Sequence, residues 1–133
     1  MGAPTVQIKD SVGVEVLGKV TDSPVANTVL ARLKALLTDG AYTTPTHTAV
    51  NVTIASGAVL AANANRIYAL LTNISDTTIW FKLGAAAVVN QGFPITSYGK
   101  YEMSKKEGNL YTGAINGIHA GAGNKVCLVS EGV

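Results

Sequence analysis

The sequence predicts a mainly β protein, an antiparallel β-sandwich or jelly-roll-like domain preceded by an extended N-terminal arm and one short α-helix. Three observations carry this expectation. From residue 48 onward, β-branched and aromatic runs recur at roughly 8–12-residue spacing with Gly, Asn or Ser between them, which is the rhythm of a sandwich. No helical pattern alternates with those runs, so a parallel βαβ arrangement is set aside. The 14 glycines concentrate in the second half, at turn-like positions with no fixed period that would indicate a solenoid.

Along the chain, residues 1–22 read as an attachment arm. Val12, Val14 and Val16 alternate in strand fashion while Gly13 and Gly18 interrupt them. The segment is too short to build a core, so it either lies across another surface, adding a strand to a neighbour's sheet, or forms a flexible tail. Residues 23–38, SPVANTVLARLKALLT, read as an oligomerising amphipathic helix, with Ser23 as N-cap, Pro24 at the first turn and Asp39-Gly40 as the stop. Ala26, Leu30, Leu33 and Leu37 follow a coiled-coil spacing, and Val29 widens the stripe. A helix this short needs a partner. That partner is either the β domain of the same chain or copies of the helix around a symmetry axis, and the wide stripe favours three copies over two.

Residues 39–47, DGAYTTPTH, read as a linker, and residues 48–133 as the β-sandwich domain. TAVNVTI (48–54) alternates strictly, with Val50, Val52 and Ile54 on one face. RIYALLTNI (66–74) is apolar on both faces and reads as a central strand, forming a hairpin with TTIWFKL (77–83). AVVN (87–90), FPI (93–95), KYEM (100–103), LYTGAI (110–115) and KVCLVSE (125–131) complete the strand candidates, and Lys105-Lys106-Glu107-Gly108 reads as a solvated hairpin tip.

Composition narrows the function. The 133 residues are 47% apolar but only 14% charged, against roughly 25% in ordinary soluble domains, so much of this surface is expected to be covered by other chains. The net charge is +2 with Lys and Arg scattered, which leaves no nucleic-acid patch. No secretion signal opens the chain, and no apolar run approaches the roughly 20 residues of a membrane span. Cys127, the single cysteine, sits in an apolar run and reads as a buried structural thiol, not a disulfide or metal partner.

Chemistry-bearing constellations are sparse. His47, in the linker, and His119, in the loop GIHAGAG, stand apart from any carboxylate or second ligand, so each reads as solvated or backbone-bonded, with no metal site or cofactor implied. Asp10, Asp22, Asp39 and Asp76 each sit beside Ser, Thr or Gly, where a short carboxylate caps a turn. GIHAGAGNK lacks the spacing of a phosphate loop and opens onto a strand. No enzyme is expected. Trp80 alternates with Thr78 and Lys82 on the more polar face of its strand, where an indole beside hydroxyls serves as a sugar-stacking platform. Tyr98 and Tyr101 are further candidate glycan contacts. The alternative for all three is packing under a loop or against a neighbouring subunit.

The order of parts NRIYALLTNISDTTIWFKLG, AAAVVNQGFPITSYGKYEMS and NLYTGAINGIHAGAGNKVCLVSEG resembles a small β domain of virion structural proteins of tailed bacteriophages. The counterparts run from Arg66 to Asn73, through Gly84–Val89 and Tyr101-Glu102, to Asn109–Ile115 and Val126–Gly132. The arm and helix also look like the N-terminal attachment parts that such proteins place ahead of a trimeric β head. The resemblance implies a non-enzymatic head decoration, cement or head-fibre protein of the virion, made in the host cytoplasm. Its implied partners are two further copies of itself and other virion proteins such as the major capsid protein or a tail component. A short tail fibre or receptor-binding module recognising cell-surface carbohydrate is the alternative. The sequence departs from a long fibre in having no repeats and no long shaft.

Overall fold

The computed structural model describes Val29–Thr38 and residues 41–133. They belong to two units, one ending at Gly40 and one running from Ala41 to Val133. The expectations resting on Val12, Val14 and Val16, on Ser23 and Pro24, and on Ala26 lie outside the described residues, as do the side chains of Leu30 and Leu37. In the first unit, α1 spans Val29–Thr38 and exposes Val29 and Leu33, the latter by 50%.

The second unit is a sandwich of eight strands: β1 (Pro45–Val52), β2 (Gly57–Leu60), β3 (Tyr68–Asn73), β4 (Ile79–Leu83), β5 (Phe93–Ile95), β6 (Lys100–Ser104), β7 (Ile115–His119) and β8 (Lys125–Gly132). One sheet has the order β1-β8-β3-β6 and the other β2-β7-β4-β5, with every pairing antiparallel. Each strand of the first half pairs with its counterpart counted from the other end of the domain, and β8–β3 and β7–β4 join the pairs into sheets. This is the winding of a jelly roll, a long hairpin rolled up so that its halves face each other.

Period-two alternation places the core. In β3, Ala69, Leu71 and Asn73 point inward, and in β4 Ile79 and Phe81 do so; Val52, Met103, Ile115, Cys127 and Val129 meet them between the sheets. Phe81 stacks on Phe93 at 5.6 Å, and Phe93 meets Tyr101 at 4.6 Å, closing the side of the sandwich where β5 gives way to β6. Gly117 sits where a Cβ would come within 2.7 Å of the Val59 side chain, so this position in β7 has no room for one.

Several expectations need correction. The linker does not extend to His47: β1 starts at Pro45, and the Thr43 and Thr44 amides already bond the Val133 carbonyl. Ile54 is not on the inner face but 68% exposed in the loop after β1. β3 and β4 do not form a hairpin, because the turn between them carries the chain from one sheet to the other. Residues 87–90 form no strand, with Asn90 at φ 64°. LYTGAI is strand only at Ile115, where β7 begins, so His119 ends a strand instead of lying in a loop. β2 was not expected at all. β3 is internal in its sheet, between β8 and β6, as expected; the segment 105–108 is an exposed turn as expected, but not a hairpin tip, because it joins β6 to β7 in the other sheet.

Candidate functional site

The winding sends alternate connections to opposite ends of the sandwich. At one end, here called the root, the chain arrives through residues 41–44, leaves at Val133, and makes the β2–β3, β4–β5 and β6–β7 connections. At the other, the crown, lie the four connections β1–β2, β3–β4, β5–β6 and β7–β8.

The root is fastened by a buried cation. Arg66, 1% exposed, donates from Nε to Glu131 Oε1 at 2.7 Å and from Nη1 to the carbonyls of Tyr111 (2.7 Å) and Gly113 (3.1 Å); its Nη2 donates to the Ala61 carbonyl. Asn63 Nδ2 gives the same Glu131 oxygen a second bond at 3.1 Å. A buried charge is tolerated when it is paired and its remaining donors are satisfied, and this guanidinium ties the β2–β3 and β6–β7 connections to β8. The side chains of Asn65, Ile67, Lys105, Leu110 and Thr112 line an open groove of about 570 Å³ beside it. Arg66 itself is committed to its carbonyl and carboxylate partners.

The crown is laced mostly by neutral groups. Asn73, fully buried, donates from Nδ2 to the carbonyls of Thr77 (2.7 Å), Ile95 (2.9 Å) and Thr96 (3.1 Å). Its Oδ1 accepts from the Ser75 amide (3.0 Å) and hydroxyl (2.6 Å), and Ser97 Oγ donates to the Ser75 carbonyl at 2.6 Å. The β3–β4 and β5–β6 turns are thereby one piece. On the other side, His119 Nδ1 accepts from the Gly121 amide at 3.1 Å, which leaves the proton on Nε2 to be donated to the Val52 carbonyl at 3.0 Å. The His119 amide bonds the Thr53 carbonyl, so β7–β8 is tied to β1–β2. The middle is joined by Ile74 N to Val126 O and by the ion pair of Lys125 Nζ with Asp76 Oδ1 at 2.7 Å. The hydrogen bond from Lys125, followed by that from Thr77, holds the Asp76 carboxyl below the usual carboxylate range.

What this lacing displays is almost uncharged. Asp76 is the one charged residue in the four crown loops, and Lys125 neutralises it. Three of the loops each expose one large apolar side chain: Ile54, Ile74 and Tyr98. Tyr98 is 78% exposed and held at φ 57°. That left-handed conformation costs a residue with a Cβ about 1–2 kcal/mol, and such strain persists only where the surroundings impose it. Here the surroundings are the Gly99 N to Thr96 O turn bond and the Asn73 N to Gly99 O bond on either side of it.

The sequence-predicted residues do not gather in one place. Trp80 and Lys82 lie half-buried on the outer face of the second sheet, as the alternation indicates, with Trp80 opposite Pro94 and Ile118, one row in from the crown. Tyr98 is at the crown. Tyr101 is partly buried and faces inward, its ring packed against Phe93. His47 Nδ1 meets Ser130 Oγ at 2.9 Å across the β1–β8 pair, on an exposed face. Cys127 is buried, and desolvation pushes its thiol up to about 11. Asn73, Arg66 and Glu131 were missed. The available signal was a polar residue at each end of the apolar run NRIYALLTN. Among the described residues no group of three or more His, Cys, Asp or Glu side chains is placed to hold a metal ion, and no helix is long and apolar enough to cross a membrane. Comparison with protein-family models, curated proteins and solved structures gives no match to this chain.

Proposed function

We propose that this chain is a non-enzymatic structural subunit of a virion, a head decoration, cement or head-fibre protein. Its N-terminal segment attaches it to the particle, α1 assembles it as a trimer, and the jelly roll is displayed with its crown outward. The observation that carries this reading is the division of labour between the two ends. The chain arrives and leaves at the root, while the crown is a rigid, nearly neutral platform whose polar side chains are used up in holding loops together. Exposed Val29 and Leu33, two apolar side chains one helical turn apart on α1, support assembly. The jelly roll recurs in capsid and lectin domains, which is an argument from fold analogy.

Sedimentation of the full chain tests the assembly: three times the 13.7 kDa chain mass is expected, and Leu33→Asp should reduce it to one while leaving the sandwich folded. A natural chain that sediments as a monomer sinks the reading. An antibody against the protein should also detect it in density-banded particles from the source host, and its absence from the band would remove the virion role.

Tyr98 favours a second reading, in which the crown contacts neutral saccharides of a host cell surface. An exposed ring held in a strained conformation offers a stacking face at little further entropic cost. Binding of the chain to immobilised neutral oligosaccharides, lost in Tyr98→Gly, is the expected result; silence across the panel would end that reading.

A further inference from the structure

A sandwich of two four-stranded sheets has four edges, and natural proteins protect such edges by shortness, charge, proline or bulges. Three of the four here are protected. β5 is three residues long with Pro94 at its centre. β2 is four residues long and carries a register shift between Ala58 and Leu60. β6 places Lys100 and Glu102 on its outward face. β1 has no such defence beyond its first residue. It runs eight residues in uninterrupted register with β8, from Pro45↔Gly132 to Val52↔Lys125, and PTHTAVNV contains no Asp, Glu, Lys or Arg. Pro45 guards only its first position. Among the described residues no strand lies along its other side, so every second residue of β1 presents an amide and a carbonyl outward.

The side chains of β1 are uncovered in a matching way. Thr46 and Thr48 share the inward face with Val50 and Val52, yet both are exposed. The facing sheet ends in the four-residue β2, which leaves the first half of β1 without cover. A strand laid beside β1 with apolar residues at alternate positions would satisfy the backbone edge and extend the core over these threonines together.

We infer that the open edge of β1 receives residues 12–20 of a second copy of this chain as an added antiparallel or parallel strand. The segment VGVEVLGKV has the length of the edge, and it repeats valine at 12, 14 and 16, which puts three β-branched side chains on one face. Its charges, Glu15 and Lys19, fall at the intervening positions, which face away from the core. Residues 12–20 lie outside the described residues, and their assignment rests on this pattern. A second copy is taken as the source because α1 exposes Val29 and Leu33 for association, so that in an assembly the arms of neighbouring copies are available to one another's edges. The inference rests on the reading of the chain as an assembled subunit.

Hydrogen exchange of the full-length protein, followed by mass spectrometry, tests the pairing. In the natural chain the β1 amides should exchange nearly as slowly as those of β8. In Val14→Pro/Val16→Pro, which removes two donors from the arm and leaves the sandwich sequence intact, exchange across residues 45–52 should rise at least about tenfold, with β3 and β8 unchanged. Exchange in β1 that is indifferent to the prolines overturns the inference. To identify the source, chains carrying Val14→Cys are co-expressed with chains carrying Thr46→Cys, Thr48→Cys or Val50→Cys and then oxidised. A disulfide-linked product of twice the chain mass is expected from at least one combination. No such product from any of the three, or a link formed only within one chain when both cysteines are on it, overturns the second copy as donor. Sedimentation separates the two levels: a multimer with a freely exchanging β1 defeats this inference alone, and a monomer defeats the assembly reading with it.

Discussion

The root and the crown solve one problem, fixing several loops at the end of a sandwich, with different chemistry. The root uses one charge pair: Arg66 holds three carbonyls and Glu131, and Asn63 completes the carboxylate. The crown uses Asn73 and His119, each neutral and each bonded mostly to backbone. A charge staple is strong only while it is complete, since removing one partner strands the other charge in a poorly solvated place. Neutral staples are individually weaker and fail one loop at a time. The lesson is that the end through which the chain is tethered is built to be all-or-none, while the end proposed to face a partner is held by distributed bonds that leave its surface without net charge.

The largest effect is expected at the root. Glu131→Ala should destabilise the sandwich by about 3–5 kcal/mol, because Arg66 is left buried without its counter-charge; urea unfolding monitored by Trp80 fluorescence measures it. The double variant Arg66→Met/Glu131→Gln should regain only part of that loss, because it removes the stranded charge but leaves the Ala61, Tyr111 and Gly113 carbonyls without their donor. If Glu131→Ala costs no more than a surface substitution, the contrast between the ends disappears. At the crown, Asn73→Ala should cost about 2–3 kcal/mol by leaving the Ile95 carbonyl and its neighbours without a donor. Its hydrogen-exchange signature should be confined to the β3–β4 and β5–β6 turns, and uniform loosening of the root as well would show that the two ends are not independent.

A pH experiment reaches the layer between the ends. Burial holds the Cys127 thiol at about 11, against 9.0 for a free one. Between those values the unfolded chain releases the proton while the folded chain keeps it. Stability therefore falls as pH rises from 9 to 11, and Cys127→Ala should lose that part of the fall, read as the difference in melting temperature between the two proteins across the range. The smallest effect has the opposite sign: Tyr98→Gly should stabilise the crown by about 1 kcal/mol, by relieving the left-handed strain. A loss of stability on that substitution would mean that the ring is packed rather than displayed.

Alternation made β1 legible through Val50 and Val52, and apolar runs made β3 and β8 legible. Neither could say which strand pairs with which. The β3–β4 hairpin looked natural from the closeness of the two runs in sequence, yet Asn73 braces the turn between them as it passes the chain from one sheet to the other. β7 escaped notice because Asn116 and Gly117 weaken its pattern, and Gly117 is there for the closeness of Val59 and Phe81, which only the packed core explains. LYTGAI looked like a strand, but the carbonyls of Tyr111 and Gly113 turn to Arg66 instead of to a neighbouring strand. Of the glycan candidates, the pattern placed Trp80 on the correct face. It had no means of separating Tyr98 from Tyr101, three residues apart, one at a turn tip and one against Phe93.

The pairing of β8 between β1 and β3 also constrains the order in which the molecule can be made. Residues 45–52 and 68–73 find their common partner only in residues 125–132, so neither can close its sheet while that strand is still inside the ribosome. Folding of the sandwich must wait until residues 125–132 have left the ribosome and then begin with contacts of long sequence separation, a slow route on which apolar strands stand open to one another. A nascent chain stalled before Lys125 should remain protease-sensitive throughout the domain. The exposure of β1 and β3 until β8 arrives is thus a direct consequence of where one strand sits in one sheet.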